Sequence, residues 1–371
     1  MNYTLFRRNK KDTMKNKIFF TLLAGLSILT FSNAATTNNI DITQAKGLDW
    51  LVTQQKENGS WSNESYPAMT ALCLWALTTD NSDKYDKQKE KAAKFIASFA
   101  QKDNGIYKTP TGGRGSGGLS TYNTGICMTA LYKYNKLKYR DIILNARKFI
   151  AASQIQGDSS SSGGFGYNIP NDEQRDRPDL SNTAWVLQAM RTTQDLEEFR
   201  KGERVDIDWD KAKSYVEKLQ IQDGKDKGAF GYSETGERTQ QPNSKIPLKT
   251  FGSMTYAGLE SLIFADVKKT DPMIISTIQW IGDNWTLQEN PGMGEKGIFY
   301  YYNVLSKALE LYNGPIKLSD GKTLDWQKQL QDKLVADQKQ NGSWVNTDGQ
   351  FWETDPILVT SYCLISLSYT K

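Results

Sequence analysis

Histidine is absent from all 371 residues of this chain. Its absence excludes Ser-His and Cys-His nucleophilic pairs, histidine general bases and most zinc sites, because each of these needs an imidazole. Cysteine is scarce, with three residues, and after residue 34 no apolar run is long enough to span a membrane.

Residues 1–34 have the pattern of a secretory signal peptide. A basic start precedes the apolar run over 18–26, and Ala34 ends a small-residue cleavage site. Met14 is an alternative start of translation. We expect cleavage near Ala34, a short linker over 35–42, and a secreted or periplasmic protein that keeps no transmembrane anchor.

The charge balance does not indicate nucleic-acid binding. The net charge of +4 includes the six basic residues and one acidic residue of 1–34, so the rest of the chain carries −1. A basic patch is the usual electrostatic signature of a nucleic-acid-binding protein, and none is evident here.

After the first segment a weak repeat returns six times: a glutamine at a helix end, a glycine, an aromatic residue, then a helix rich in small residues. The clearest copies, 55–61 and 338–344, both read Gln-x-x-x-Gly-x-Trp. The second copy ends at Tyr107, the fourth starts at Gln222, and a degenerate fifth uses Gly297-Ile298-Phe299. Because the first and last copies are alike and neither is a polar cap, we expect the repeats to close into a ring.

Six helical hairpins in a ring make an all-α fold, an (α/α)6 toroid formed by residues 43–371 as one domain. The second helix of each hairpin is apolar on nearly every side and is predicted to lie in an inner ring. The predicted inner segments are 66–78, 121–134, 180–192, 252–264, 299–312 and 356–369. Trp61, Tyr107 and Trp344 are predicted to pack as wedges between neighbouring repeats.

The Gln-x-x-x-Gly-x-Trp runs resemble the QW repeats of the squalene-hopene and oxidosqualene cyclases, whose toroid is shared by the β subunits of protein prenyltransferases. The resemblance covers 43–371 and implies the toroid fold. The prenyltransferases hold zinc with an aspartate, a cysteine and a histidine, and this chain has no histidine. The resemblance therefore does not extend to that activity, and we predict no metal and no cofactor.

Class II cyclases carry Asp-x-Asp-Asp directly before Thr-Ala at the start of one inner helix, and the middle aspartate protonates the substrate alkene. The matching positions here are Asp179, Leu180, Ser181 and Asn182. A hydroxyl or an amide cannot deliver a proton to an alkene, since that step needs a strong carboxylic acid. With one barrel instead of two, this chain is not expected to cyclise squalene.

The three cysteines, Cys73, Cys127 and Cys363, occupy one column of the repeat, and ring closure makes their repeats neighbours. A disulfide and a three-thiolate metal site are the alternatives to simple burial. Other repeats place valine, glycine or leucine in this column, so we favour packing as small apolar side chains.

The long connections lead from outer to inner helices, so they emerge at one end of the barrel, where we expect the ligand. Inner helices also begin there, with free N–H groups expected at their first turns. The predicted ligand-binding residues are Tyr66, Tyr122, Asn123, Asp179, Ser181, Asn182, Tyr300 and Tyr301. Asp179, Glu353 and Asp355 are the candidate catalytic carboxyls, although Asp179 and Asp355 also suit helix N-caps.

Two functions fit this pattern. One is a binding toroid that has lost the cyclase acid and holds an isoprenoid, a peptide or a glycan. The other is a glycosidase or lyase on a six-hairpin barrel, which would require two carboxyls about 5–10 Å apart. Repeats three and six lie opposite each other, which separates Asp179 from Glu353 and Asp355, so we prefer the binding role. The sequence does not indicate an oligomeric state.

Overall fold

The structure is a computed structural model that describes residues 24–112, 117–169, 177–233 and 249–371, with side chains from residue 39 onward. The chain divides into two compact units, Met1–Ile42 and Thr43–Lys371. Most of the predicted signal peptide, 1–34, lies outside the described residues. Among those described, no helix has the length and apolar character required to cross a membrane.

The described residues contain twelve α-helices in alternation, which confirms the predicted all-α toroid of six hairpins. The outer helices are α1 (Ala24–Thr53), α3 (Asp86–Ala97), α5 (Arg140–Ala152), α7 (Trp209–Lys218), α9 (Pro272–Asp283) and α11 (Trp326–Asp337). The inner helices are α2 (Pro67–Leu77), α4 (Ser120–Asn135), α6 (Leu180–Thr192), α8 (Gly252–Phe264), α10 (Ile298–Tyr312) and α12 (Pro356–Ser368). Extended structure in the described part is limited to isolated β-bridges.

The six inner helices form a closed ring. Each packs against the next in the order α2, α4, α6, α8, α10 and α12, and α12 packs against α2. All residues of α2 are buried, whereas α3 buries only one stripe. An all-round apolar helix needs neighbours on every side, and a helix with one apolar stripe needs only one, so the pattern separates the two rings.

Trp61 and Trp344 are fully buried at equivalent places in the first and last repeats. The backbone N–H of Trp344 donates to Thr360 Oγ1, and its indole N–H donates to the Leu334 carbonyl at 2.8 Å. Trp61 makes the same two bonds, to Thr70 Oγ1 and to the Leu51 carbonyl. Each tryptophan thus fastens an inner helix to its own outer helix.

The wedge of the second repeat is Ile106, so the prediction of Tyr107 is wrong by one position. The Ile106 N–H donates to Thr124 Oγ1, as its counterparts Phe165 and Phe230 do to Thr183 and Thr255. Tyr107 instead lies half-exposed and donates its hydroxyl hydrogen to Asp103. The threonine of the inner helix determines which hairpin residue is the wedge. The spacing of the aromatic residue in the sequence does not show which residue bonds to that threonine.

The fifth repeat departs from the others. Gly297, Ile298 and Phe299 do not form a wedge, because Gly297 is the N-cap of α10 and the next two residues begin that helix. In the threonine column stands Tyr302, whose hydroxyl donates to the Leu287 carbonyl at 2.5 Å. The longer side chain holds a wider loop than threonine can reach.

Glutamine side chains link several of the hairpins to the next outer helix, although Gln101 of the second repeat bonds only within its own hairpin. Gln55 donates to the Gln88 carbonyl on α3, and Gln338 donates to the Thr43 carbonyl on α1, which closes the ring. In the fourth repeat this role belongs to Gln220, not to the predicted Gln222, because Gln220 reaches the Met273 carbonyl on α9. The bonds span neighbouring repeats, so they depend on the ring.

Two glycines of these hairpins cannot be replaced. Gly59 and Gly342 have φ of +89° and +95°, in the left-handed region that favours glycine. A Cβ added to either would lie 2.5 Å from a backbone carbonyl oxygen of the next outer helix, that of Lys91 or Lys46. The glycine therefore allows the hairpin to touch the backbone of the following repeat.

Long connections also occur at the opposite end of the barrel, contrary to the expectation that they emerge at one end only. Residues 193–208 and 313–325 each form a long connection from an inner to an outer helix. The first is anchored by Arg147, whose guanidinium bonds Glu197, the Thr193 hydroxyl and the Met190 carbonyl. Insertions thus occur at both ends, and loop length alone does not identify the binding end.

Candidate functional site

The inner helices begin at a common end of the barrel, which we call the mouth. The predicted residues from α4, α6 and α10 meet there. Ser181 on α6 and Tyr300 on α10 lie on helices that are not ring neighbours, yet their hydroxyl oxygens are 2.8 Å apart. Their contact spans the inside of the barrel past α8, which lies between the two helices in the ring.

A second contact spans the inside of the barrel, from α4 to α12 past α2. Tyr122 on α4 and Tyr362 on α12 are joined through their hydroxyls, and the rings of Tyr300 and Tyr362 are 6.0 Å apart. We call Tyr122, Ser181, Tyr300 and Tyr362 the tyrosine layer. Tyr122, Ser181 and Tyr300 are half-buried and Tyr362 is buried, so the layer is only partly exposed.

Two loop tyrosines extend this surface. Tyr167 lies 6.0 Å from the Tyr122 ring and 3.4 Å, oxygen to oxygen, from Tyr232. Burial and the nearby Asp179 carboxyl raise the pKa of the Tyr232 hydroxyl far above its usual range. The mouth tyrosines are therefore neutral at physiological pH and act as hydrogen-bonding groups, not as bases.

The three candidate catalytic carboxyls bind helix starts. Asp179 is the N-cap of α6 and accepts from the N–H and the side-chain amide of Asn182. Asp355 caps α12 at the Ile357 N–H, and Ser62 donates to its other oxygen. The buried Glu353 accepts from the Tyr300 N–H at 2.7 Å. Burial raises the pKa of Glu353, but its oxygens face α10 and Asn346.

Asn123 is also structural, and it corrects the expectation of free N–H groups at the mouth. It is fully buried on α4, and its side-chain oxygen accepts from the Ala68 N–H of α2. Asn168 and Asn290 do the same for α4 and α8. Each of these helix starts is capped by a side chain from the following repeat, which stabilises the ring and leaves those amides occupied.

Two predicted tyrosines lie apart from the tyrosine layer. Tyr301 is buried against Tyr256 and donates to the Thr286 carbonyl, so its hydroxyl serves a loop. Tyr66 is buried at the start of α2, where its ring packs edge-on against Trp352 at 5.2 Å. Neither presents its ring to the tyrosine layer.

Sequence reasoning missed the rim residues Phe351 and Trp352. Their side chains are 59% and 46% exposed, and both have positive φ, 57° and 66°. Bulky residues rarely adopt this conformation, which costs about 1–2 kcal/mol per residue. An aromatic pair in the loop before an inner helix was the signal available in the sequence. The pair adds an exposed apolar surface beside the mouth.

A groove of about 430 Å³ lies elsewhere, between α10, α11 and the hairpin that follows α11. It is lined by Phe299 and Tyr302 and by Lys333 and Asp337, which pair with each other at 3.0 Å. None of the predicted site residues lines it. We therefore place the candidate site at the mouth, where five half-buried side chains with hydroxyl groups converge: Tyr122, Tyr167, Ser181, Tyr232 and Tyr300.

The cysteines do not form a metal centre in this structure. Cys73, Cys127 and Cys363 are free and buried, and burial raises the pKa of each thiol. Among the described residues no group of three cysteine, aspartate or glutamate side chains is placed to hold a metal ion. The Cys73 sulfur also accepts a hydrogen bond from the Ser361 hydroxyl at 3.3 Å.

Neither the family models nor the curated proteins give a match to this chain. Solved structures do. Type II terpene cyclase MstE from Scytonema is 13% identical, with 89% of this chain and 97% of that chain covered and a TM-score of 0.54. Cellobiose 2-epimerase from Bacillus thermoamylovorans is 12% identical, with 89% and 98% covered and a TM-score of 0.55.

A variant of the same cyclase was solved with its substrate, geranylgeranyl dihydroxybenzoate, at 12% identity, coverage of 91% and 99%, and a TM-score of 0.54. At such identities the similarity shows the fold alone. The α/α toroid is thus established, and the chemistry must be argued from the residues of this chain.

Proposed function

We propose that this chain is an exported ligand-binding toroid that holds a small organic molecule at the mouth of the barrel, against the tyrosine layer. The main observation behind the proposal is the contact between Ser181 and Tyr300 inside the barrel, flanked by Tyr122. These side chains belong to different repeats and offer both ring faces and hydroxyls. Such a mixed surface orients a ligand without supplying an acid or a base.

Cyclisation initiated by protonation has no support in this arrangement. Ser181 stands where the acid of the cyclases would be, and Asn182 is bonded to Asp179. The alternative of a glycosidase or lyase has less support than binding, because Asp179, Glu353 and Asp355 are all engaged at helix starts. A catalytic carboxyl must reach the substrate, and Glu353 is fully buried.

The names of the structural neighbours supply two ligand classes to compare, a prenylated aromatic acid and a disaccharide. We will measure the melting temperature of residues 35–371 with geranylgeraniol, geranylgeranyl dihydroxybenzoate, cellobiose, maltose and chitobiose. Binding to the native state raises the melting temperature, and the rise grows with the logarithm of the ligand concentration above Kd. We expect one class to do so and the other to have no effect.

The matched variants are Tyr122→Phe and Tyr300→Phe, with Tyr312→Phe as control because Tyr312 lies at the other end of α10. Each mouth variant removes one hydroxyl and keeps the ring. We expect a loss of affinity of about 5-fold to 10-fold for the mouth variants, on the order of one hydrogen bond, and none for the control. If the affinity for the ligand is the same in both mouth variants as in the parent protein, the binding site lies elsewhere.

Export is tested separately. If residues 1–34 are a signal peptide, protein recovered outside the cytoplasm should begin at or near Ala35 by N-terminal sequencing. Protein that keeps Met1 or Met14 and stays in the cytoplasm would contradict the export proposal without affecting the binding site.

A further inference from the structure

A second contact between α6 and α10 lies deeper inside the barrel. The Lys307 ammonium donates to the Gln188 side-chain oxygen at 3.0 Å, and both groups are buried. Gln188 and Lys307 each follow the tyrosine-layer residue of their own helix, Ser181 and Tyr300, by seven positions. Seven residues of helix rise about 10 Å, so the two contacts are separate rungs along the axis.

The lower rung carries a buried ion pair. Lys307 lies 3.6 Å from a carboxylate oxygen of Glu260 on α8, and the two side chains are 3% and 1% exposed. The same ammonium stands 4.0 Å from the centre of the Trp185 ring. Burial raises the pKa of Glu260 and lowers that of Lys307. An ion pair in such a place is not needed for stability, since apolar side chains of the same volume would serve as well.

Polar atoms without partners lie between the rungs. Asn303 is fully buried between Tyr300 and Lys307 on α10, and neither its oxygen nor its nitrogen has a hydrogen-bond partner among the described residues. The indole N–H of Trp185, at a similar depth on α6, also has none. Buried polar groups are nearly always hydrogen-bonded, so unpaired ones indicate that a hydrogen-bond partner is missing.

We propose that Gln188, Glu260, Asn303 and Lys307, with Trp185, form a deep subsite for a sugar ring, so that the ligand of this toroid is a glycan. The inference rests on the proposed function and names its ligand class. Asn303, Lys307 and the Trp185 indole supply donors, Gln188, Glu260 and Asn303 supply acceptors, and Trp185 adds an apolar surface. Sugar hydroxyls donate and accept at once, so a single ring can satisfy this mixture.

The other ligand classes fit the subsite less well. An isoprenoid chain would leave the Asn303 amide and the Trp185 indole N–H without partners in an apolar setting, which is unfavourable. An anionic ligand would meet the carboxyl of Glu260 beside the lysine. A neutral, hydroxyl-rich ligand avoids both penalties. Its entry requires the Ser181 and Tyr300 hydroxyls to separate, because the tyrosine layer covers the subsite.

The test is calorimetric titration of residues 35–371 with cellobiose, maltose, chitobiose and geranylgeraniol. In Asn303→Leu, two unpaired polar atoms are replaced by an apolar side chain of similar size. We expect the variant to melt no lower than the parent and to bind the disaccharide at least 10-fold more weakly. Lys307→Met should also lose at least 10-fold, while Lys89→Met, which removes a buried lysine of α3 that donates to two backbone carbonyls, should bind normally.

Each other outcome overturns the inference. If a disaccharide binds and Asn303→Leu leaves its affinity unchanged, the subsite is wrong. If geranylgeraniol binds with an affinity that depends on Tyr122 and Tyr300 but is unchanged in Asn303→Leu, the proposed ligand class is wrong and the mouth proposal stands. If no probe binds, both proposals fail.

Discussion

Carboxylates in this protein differ in role according to what surrounds them. Asp179 and Glu353 bind backbone N–H groups, Glu260 faces a buried lysine, and Glu197 is enclosed by two arginines. Burial alone would raise the pKa of Glu197, but hydrogen bonds from Arg200, the Val205 N–H and Arg147 lower it to about 2. Of these roles, local sequence indicated only the capping by Asp179.

Glu197 makes stability depend on pH in acid. Because its pKa is lowered from 4.5 to about 2 on folding, its contribution is complete above pH 4.5 and is lost as the pH falls towards 2. Glu197→Gln removes the nearest carboxylate from the buried Arg147 and Arg200 and should lower the free energy of unfolding by about 3–5 kcal/mol at pH 7. Urea unfolding at pH 7 and pH 3 should show that difference shrinking. Exposed Glu203→Gln is the control, and an equal difference at both pH values would contradict the assignment.

At the scale of elements, the hairpin before each inner helix holds the repeat together. Trp344 lies against Gly47 of α1, donates to its own outer helix α11, and fixes the threonine of α12. Tyr107, one position beyond the wedge of its repeat, makes only a contact with Phe149 and a bond to Asp103. Burial of an aromatic wedge, not its presence in the repeat, sets its energetic weight.

We expect Trp344→Ala to lower the free energy of unfolding by about 3–5 kcal/mol, because it opens a large cavity between two repeats. Tyr107→Ala should cost less than about 1.5 kcal/mol, since that side chain is half-exposed. Equilibrium denaturation monitored by circular dichroism gives both values. Equal losses in the two variants would show that Tyr107 is a wedge after all.

At the scale of the whole molecule, stability depends on closure of the ring. The contact of α12 with α2 and the bond from Gln338 to the Thr43 carbonyl join the last repeat to the first. An open solenoid loses one terminal repeat and stays folded, whereas a ring exposes two apolar faces at once.

A chain ending at Gly314, which lacks α11 and α12, should therefore fail to fold. It would uncover the buried faces of α10 and α2 together. We expect aggregation in size-exclusion chromatography and no cooperative thermal transition, in contrast with the chain that ends at Lys371. A soluble monomer with a cooperative transition would show that the repeats behave as an open array.

The sequence by itself determined the toroid and, to within two residues, the bounds of the inner helices, because apolar periodicity and the repeated hairpin are local properties of the chain. It also placed Tyr122, Ser181 and Tyr300 at one end of the barrel. Only the tertiary structure decided that Asn123 and Glu353 cap helices of another repeat. It also decided that Ile106 replaces Tyr107 as a wedge, and which side chains meet inside the barrel. The contacts of Ser181 with Tyr300 and of Gln188 with Lys307 join helices that are not neighbours, so they depend on the diameter and register of the closed ring, which no local pattern contains.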